Sequence, residues 1–218
     1  MCPRRSSPNR TGGEVPVLVH DGAVLTETTL ILEYLDAAFP HPSLVPETAE
    51  ARYRMRVWTK LANDSFAPAL TLLGWHLRMA RQMCGRRDRA AIVDGFARLP
   101  PDRQAVWHTA FDDAYSEDQL TRAREFVEVA ARRLDEALAG SEWLAGERYS
   151  LADIAIFPLA YAMQSLLPDV AALVNRPRVA QWLERMQQRP AVRRALGFAR
   201  SARPEEMFAP GPELARWG

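Results

Sequence analysis

The apolar pattern changes period once, near residue 27, and this restricts the chain to a short β-hairpin followed by helices. Residues 15–26 read Val-Pro-Val-Leu-Val-His-Asp-Gly-Ala-Val-Leu-Thr. Two β-rich runs flank Asp21-Gly22, a pair suited to a two-residue turn in which both central positions need positive φ. From Glu27 onward Leu30, Ile31, Tyr34, Leu35 and Ala38 fall on one helical stripe. Pro40, Pro42 and Pro46 then interrupt regular structure and mark a linker.

Beyond Pro46 the pattern is helical. The segment from about Thr48 to Met83 repeats Tyr53, Val57 and Leu61, then Leu70, Leu73 and Leu77, with Pro68 predicting a kink. Residues 84–116 are less periodic and contain Leu99-Pro100-Pro101, which suggests shorter helices around a break. A helix is expected from Ser116 to Gly140 with Phe126, Val129, Ala130, Leu134, Ala137 and Leu138 inward, and Pro177 and Pro190 divide the remainder into three more. Ser150-Leu151-Ala152-Asp153 reads as a capping box with Tyr149 and Ile154 as its hydrophobic staple, a structural feature rather than a catalytic one.

Composition excludes several classes. At 48% hydrophobic and 25% charged residues, the 218-residue chain is not disordered. A net charge of +1 provides no general attraction to nucleic acid or anionic membranes. The longest uncharged run, Ile154 to Pro168, is too short and too interrupted to span a bilayer. No apolar stretch follows Arg4-Arg5, so no secretory signal is expected. Cys2 and Cys84 are too few for a disulfide framework or a zinc site. A cytoplasmic protein without a metal is the expectation.

Several pieces, in order and spacing, resemble the glutathione transferase superfamily. They are Gly13-Glu14-Val15-Pro16-Val17-Leu18, Asp21-Gly22, Leu25-Thr26-Glu27-Thr28, Ile31, Tyr34-Leu35 and Phe39-Pro40. In the helical half they are Trp143-Leu144-Ala145-Gly146, Ser150-Leu151-Ala152-Asp153-Ile154 and Arg189-Pro190-Ala191-Val192. The resemblance implies an α+β chain, with residues 1–40 forming part of a thioredoxin-like, glutathione-binding domain, 41–47 a linker and 48–218 an all-α domain. Leu73-Gly74-Trp75-His76, the segment 84–116 and Leu99-Pro100-Pro101-Asp102-Arg103 are similar to bacterial glutathione-dependent β-etherases, which cleave aryl ethers with the glutathione thiolate.

The resemblance also implies a site. Pro16 would follow a cis peptide bond, and the Val15 backbone would pair with the cysteinyl backbone of glutathione like an added strand; an ordinary trans proline at a strand start is the alternative. Glu27 and Thr28 would stand at a helix N-terminus, where free amides and the helix dipole favour the γ-glutamyl carboxylate. Thr28 would add a hydroxyl donor and Glu27 would accept from the amino group, unless Thr26 or Thr28 simply caps the helix. Phe66, Leu70 and Trp75 would line a pocket for a hydrophobic electrophile, or else be core or dimer contacts. Asp64 would reach a glutathione amine across a dimer interface. His76 would be a general acid or base, or a helix-surface histidine.

The catalytic residue is left unassigned. In the family a βαβ unit of roughly 30 residues precedes the Val-Pro, but only 15 residues precede Pro16 here. The chain is therefore expected to be N-terminally truncated, without the Ser, Cys or Tyr segment that activates the thiol. Cys2-Pro3 and Ser7-Pro8 imitate that loop at the wrong spacing. The expected activity is transfer of the glutathione thiolate to a small electrophile such as an aryl ether or halide, by a homodimer; the other reading is a non-catalytic binding or scaffold protein of the same fold.

Overall fold

In the computed structural model, residues 15–84, 88–198 and 211–215 are described. Strands β1 (Leu18–His20) and β2 (Ala23–Leu25) pair antiparallel, with Leu18 opposite Leu25 and His20 opposite Ala23. Asp21 at φ 48° and Gly22 at φ 83° supply the turn expected of this dipeptide. Among the described residues no strand pairs with the other edge of β1, where Val15, Val17 and Val19 are 89%, 39% and 57% exposed.

Helix α1 (Thr28–Ala38) follows at once. His20 binds it to the hairpin: its Nδ1 lies 2.8 Å from the Tyr34 hydroxyl, and its ring stands 5.4 Å from Phe39. Ile31 is the buried residue of this helix. Leu30 and Ala38, expected on the inner stripe, face solvent instead, because Leu32 rather than Leu30 packs against the helical core. The loop after α1 is pinned by Asp36, whose carboxylate accepts from the Ser43 hydroxyl at 2.9 Å and the Leu44 amide at 2.5 Å.

A single helical run then extends from α2 (Ala49–Leu61) through α3 (Ala67–Gly74) to α4 (Ala80–Cys84). Thr48 caps its start, its Oγ1 accepting from the Ala51 amide at 3.2 Å. Two π turns interrupt it, Ala62–Phe66 and Trp75–Met79, where the Ala67 and Ala80 amides donate to the Ala62 and Trp75 carbonyls. The first π turn lies immediately before Pro68, and the wider turn makes room for a ring that would otherwise press on the carbonyl four residues back. The discontinuity expected from Pro68 is thus a change of ladder.

The buried face of α2 is Met55, Trp58, Thr59 and Ala62, which packs on α8 (Leu151–Leu166). Tyr53 and Val57, on the recurring face read from the sequence, are 69% and 41% exposed. Both sets have helical spacing, and tyrosine's amphipathic ring makes its stripe a poor guide to the inner face.

Helices α5 (Arg89–Phe96) and α6 (Pro101–Phe111) flank the Leu99-Pro100 break. Ser116 starts α7 (Glu117–Gly140) with a capping box: its Oγ accepts from the Gln119 amide at 3.2 Å, and Gln119 Oε1 accepts from the Ser116 amide at 2.9 Å. The inner face of α7 includes Ala123, Val127, Ala130, Ala131, Leu134 and Leu138. Phe126 is 49% exposed and Val129 half-buried. Alanines, not the phenylalanine, face inward because α7 packs closely along α3, whose eight residues are all buried.

Helices α8, α10 (Pro177–Gln188) and α11 (Pro190–Leu196) match the three-way division of the C-terminal stretch. A four-residue α9 (Pro168–Ala171) and a 3₁₀ turn, Leu173–Asn175, lie between the first two. The main core joins α2, α3, α7, α8 and α10 through Met55, Phe66, Leu70, Leu134, Ile156 and Trp182. A second core joins Trp75, Phe96, Ala110 and Phe111. A hairpin with one helix, followed by an all-helical bundle, is the α+β arrangement read from the sequence. No single described helix is long and apolar enough to cross a membrane.

Candidate functional site

Val15 and Pro16 lead into β1, and Glu27 and Thr28 lead out of β2, at the end of the hairpin where Leu18 is paired with Leu25. The Val15–Pro16 bond is cis, and so is His41–Pro42, which the sequence reading did not single out. Val15 and Pro16 are exposed, as are Glu27 and Thr28.

Glu27 is the N-cap of α1 and holds φ 68°, ψ 111°, an unusual conformation for a residue with a side chain. Among the described residues no side chain caps α1, and no acidic residue stands in its first turn. Capping by Thr26 or Thr28 is therefore not how this helix begins. Glu27 and Thr28 at this helix start are exposed, and a helix N-terminus favours a bound anion.

The long helical run braces this start. Asn63, within the first π turn, donates from Nδ2 to Thr29 Oγ1 at 3.0 Å. Arg56 donates from Nε and Nη2 to the two carboxylate oxygens of Glu33, each at 3.3 Å. Sequence reasoning missed both pairs; a polar residue just before Pro68 was the only local hint for Asn63.

Other candidates lie elsewhere. Asp64 pairs with Lys60 one turn back on its own helix. Phe66 and Leu70 are fully buried in the main core, and Trp75 is 4% exposed in the second. In this state none of the three offers a face to a ligand, so plain core describes their placement. His76, in the second π turn, has Nδ1 2.9 Å from Asp113 Oδ1, and Asp113 itself has φ 54°. Residues 1–14, with Cys2 and Ser7, lie outside the described residues. Among the described residues no group of His, Cys, Asp or Glu is placed to hold a metal.

Comparison with known proteins places this geometry in a family. The glutathione S-transferase C-terminal domain matches residues 98–190 and the N-terminal domain residues 3–43. Protein LigF from Sphingobium sp. (strain NBRC 103272 / SYK-6) is 33% identical over 190 residues, covering 83% of this chain and 72% of LigF. The chain belongs to the glutathione S-transferase family. Glutathione S-transferase F14 from Arabidopsis thaliana is 28% identical over 184 residues, covering 82% of this chain and 61% of that protein. The crystal structure of β-etherase LigF superposes with a TM-score of 0.79 at 30% identity, covering 87% of this chain and 80% of LigF. A glutathione S-transferase from Methylobacterium radiotolerans JCM 2831, solved in complex with glutathione sulfonate, shares the fold with a TM-score of 0.64 at 21% identity, covering 92% and 80% of the two chains.

Within this family member the Trp143–Gly146 bridge and the Ser150–Asp153 box are built around one carboxylate. Asp153 accepts from the amides of Leu144 at 3.1 Å and Ser150 at 3.0 Å. Ser150 Oγ accepts from the Ala152 amide at 3.3 Å and donates to Asp153 at 3.1 Å. The Leu151 amide donates to the Leu44 carbonyl at 3.2 Å, tying the loop after α1 to the start of α8. The box therefore positions the segment that carries α1, consistent with the structural role read from the sequence.

Proposed function

We propose that this chain binds glutathione across Val15 and the start of α1, and transfers its thiolate to an electrophilic carbon of a hydrophobic small molecule, an aryl ether or aryl halide. The observation that carries the reading is the exposed α1 N-terminus at Glu27-Thr28, where Glu27 makes no side-chain cap, at the same end of the hairpin as the exposed Val15–cis-Pro16 segment. The Val15 backbone would pair with the peptide part of glutathione as an added strand. The amides and hydroxyl at Thr28 would hold the γ-glutamyl carboxylate, and the Glu27 carboxylate would accept from the amino group. Asn63 and Arg56 would act only by holding α1 in place.

In the reaction the thiol gives its proton to solvent or base, and the thiolate sulfur forms a bond to carbon. The carbon–oxygen or carbon–halogen bond breaks, and its electron pair leaves as phenolate or halide. The kinship with LigF, described as a β-etherase, supports the ether over the halide. The working form would be a cytoplasmic homodimer, supported by the exposed apolar side chains Leu30, Tyr53 and Val57 on α1 and α2.

Calorimetric titration with glutathione tests the binding step, and phenol release from an aryl ether tests the transfer. Saturable heat that weakens in Thr28→Ala supports the reading. Absence of heat from the folded wild-type chain overturns it.

A further inference from the structure

Two polar contacts tie α1 to the long helical run, and they fall in opposite chain order. Thr29 meets Asn63, whereas Glu33, about one turn later on α1, meets Arg56, about two turns earlier on the run. The two helices therefore lie antiparallel along this seam. The Arg56–Glu33 pair holds the body of α1, and Asn63 reaches its first turn. Asn63 is exposed and Thr29 half-buried.

The direction of the Asn63 bond fixes what Thr29 can do. Asn63 Nδ2 donates and Thr29 Oγ1 accepts, at 3.0 Å, so the hydroxyl hydrogen stays available to a further acceptor. A helical threonine divides between two χ1 rotamers, and the Asn63 contact selects one of them. Because the Cα–Cβ bond of a helical residue tilts toward the helix N-terminus, the Thr29 side chain leans to the Glu27-Thr28 side of its own Cα. The ladder of α1 begins with the Ile31 amide donating to the Glu27 carbonyl at 2.9 Å, so the amides of Thr28, Thr29 and Leu30 precede it.

We infer that Asn63 is a positioning residue for glutathione: by fixing the Thr29 hydroxyl it orients a second donor beside Thr28 and makes the site select for the γ-glutamyl α-carboxylate. The inference rests on the proposed placement of glutathione at the start of α1. Asn63 acts through Thr29 and touches no atom of the tripeptide. Recognition of the acidic end is thereby tuned from the first π turn of the helical run, outside the hairpin that holds the peptide backbone.

The test is calorimetric titration of two peptides into wild type, Asn63→Ala, Thr29→Val and the double variant. One peptide is glutathione, and the other is γ-aminobutyryl-cysteinyl-glycine, which keeps the amino group and lacks the α-carboxylate. Asn63→Ala is expected to weaken glutathione about fivefold, the equivalent of one neutral hydrogen bond, and to leave the second peptide unchanged. In the Thr29→Val background the same substitution is expected to add nothing. Equal losses for both peptides, no loss for glutathione, or an undiminished loss in the Thr29→Val background each overturns the inference. Should Asn63→Ala not fold, Thr29→Val alone carries the comparison, with the same split between the peptides expected and equal behaviour overturning it. Wild-type binding of glutathione with no effect of Asn63→Ala sinks this inference alone, whereas absence of heat from the folded wild-type chain sinks the glutathione reading with it.

Discussion

Trp182 donates its indole N–H to Asp153 Oδ1 across 3.0 Å, and both side chains are fully buried. One carboxylate thereby joins the Trp143–Gly146 bridge, the start of α8 and the middle of α10. Burial pushes the Asp153 carboxyl above its ordinary value, and the hydrogen bonds from Leu144, Trp182 and Ser150 oppose that rise.

Asp153→Asn keeps one acceptor oxygen but turns an amide nitrogen toward the Ser150 N–H. The expected cost is about 1–3 kcal/mol, read as a fall in Tm of roughly 3–10 °C for a chain of this size. Because the folded-state pKa is raised, the folded chain binds the extra proton, so this contribution is present below about pH 4 and lost as pH rises through the folded value. The stability gap between wild type and variant should narrow over that interval in urea titrations.

Thr28→Ala removes the hydroxyl at the start of α1 and leaves the helix amides in place. A hydrogen bond to a carboxylate is worth roughly 1.5–3 kcal/mol, so glutathione affinity is expected to fall about tenfold or more, with Tm unchanged. Calorimetry and a thermal melt on the same sample check both halves.

Glu27→Gly separates strain from binding. Glycine adopts positive φ without a Cβ penalty, so the variant is expected to keep or raise its urea midpoint. Its glutathione affinity should fall, because the carboxylate proposed to meet the amino group is gone. Lower stability together with unchanged affinity would show that Glu27 serves folding alone.

Tyr115 is half-buried, and burial together with the Asp113 charge drives its hydroxyl well above its ordinary value. Above about pH 10 the unfolded chain loses this proton and the folded one keeps it, so stability declines as pH rises. Tyr115→Phe removes that term. Its urea midpoint should fall less than wild type's between about pH 9 and 11.

The elements legible in the sequence carry their own local chemistry. Asp21-Gly22 announces a turn because two successive positive φ values suit few other residues, and Ser116 and Ser150 announce helix starts because their partners lie three residues away. The inner face of α7 departs from the expectation at Phe126, where two stripes share one period and the close neighbour selects small residues. The cis bond before Pro16 was legible through family resemblance, and so was the start of α1 at Glu27-Thr28. Its bracing by Asn63 and Arg56 joins residues 34 and 23 positions apart, and no pattern along the chain signals such pairs. The same holds for Glu213, which accepts the Trp107 indole N–H across 106 positions.

The first π turn also determines where the helix can change length. Each helical residue rotates the chain by about 100°, so removing one residue from α3 would swing its wholly buried surface out of alignment with α7 and α8. Removing one from Ala62–Phe66 lets the ladder return to ordinary spacing with both flanks still in phase. Single-residue gaps among related chains should therefore collect at this turn and avoid the eight residues after it.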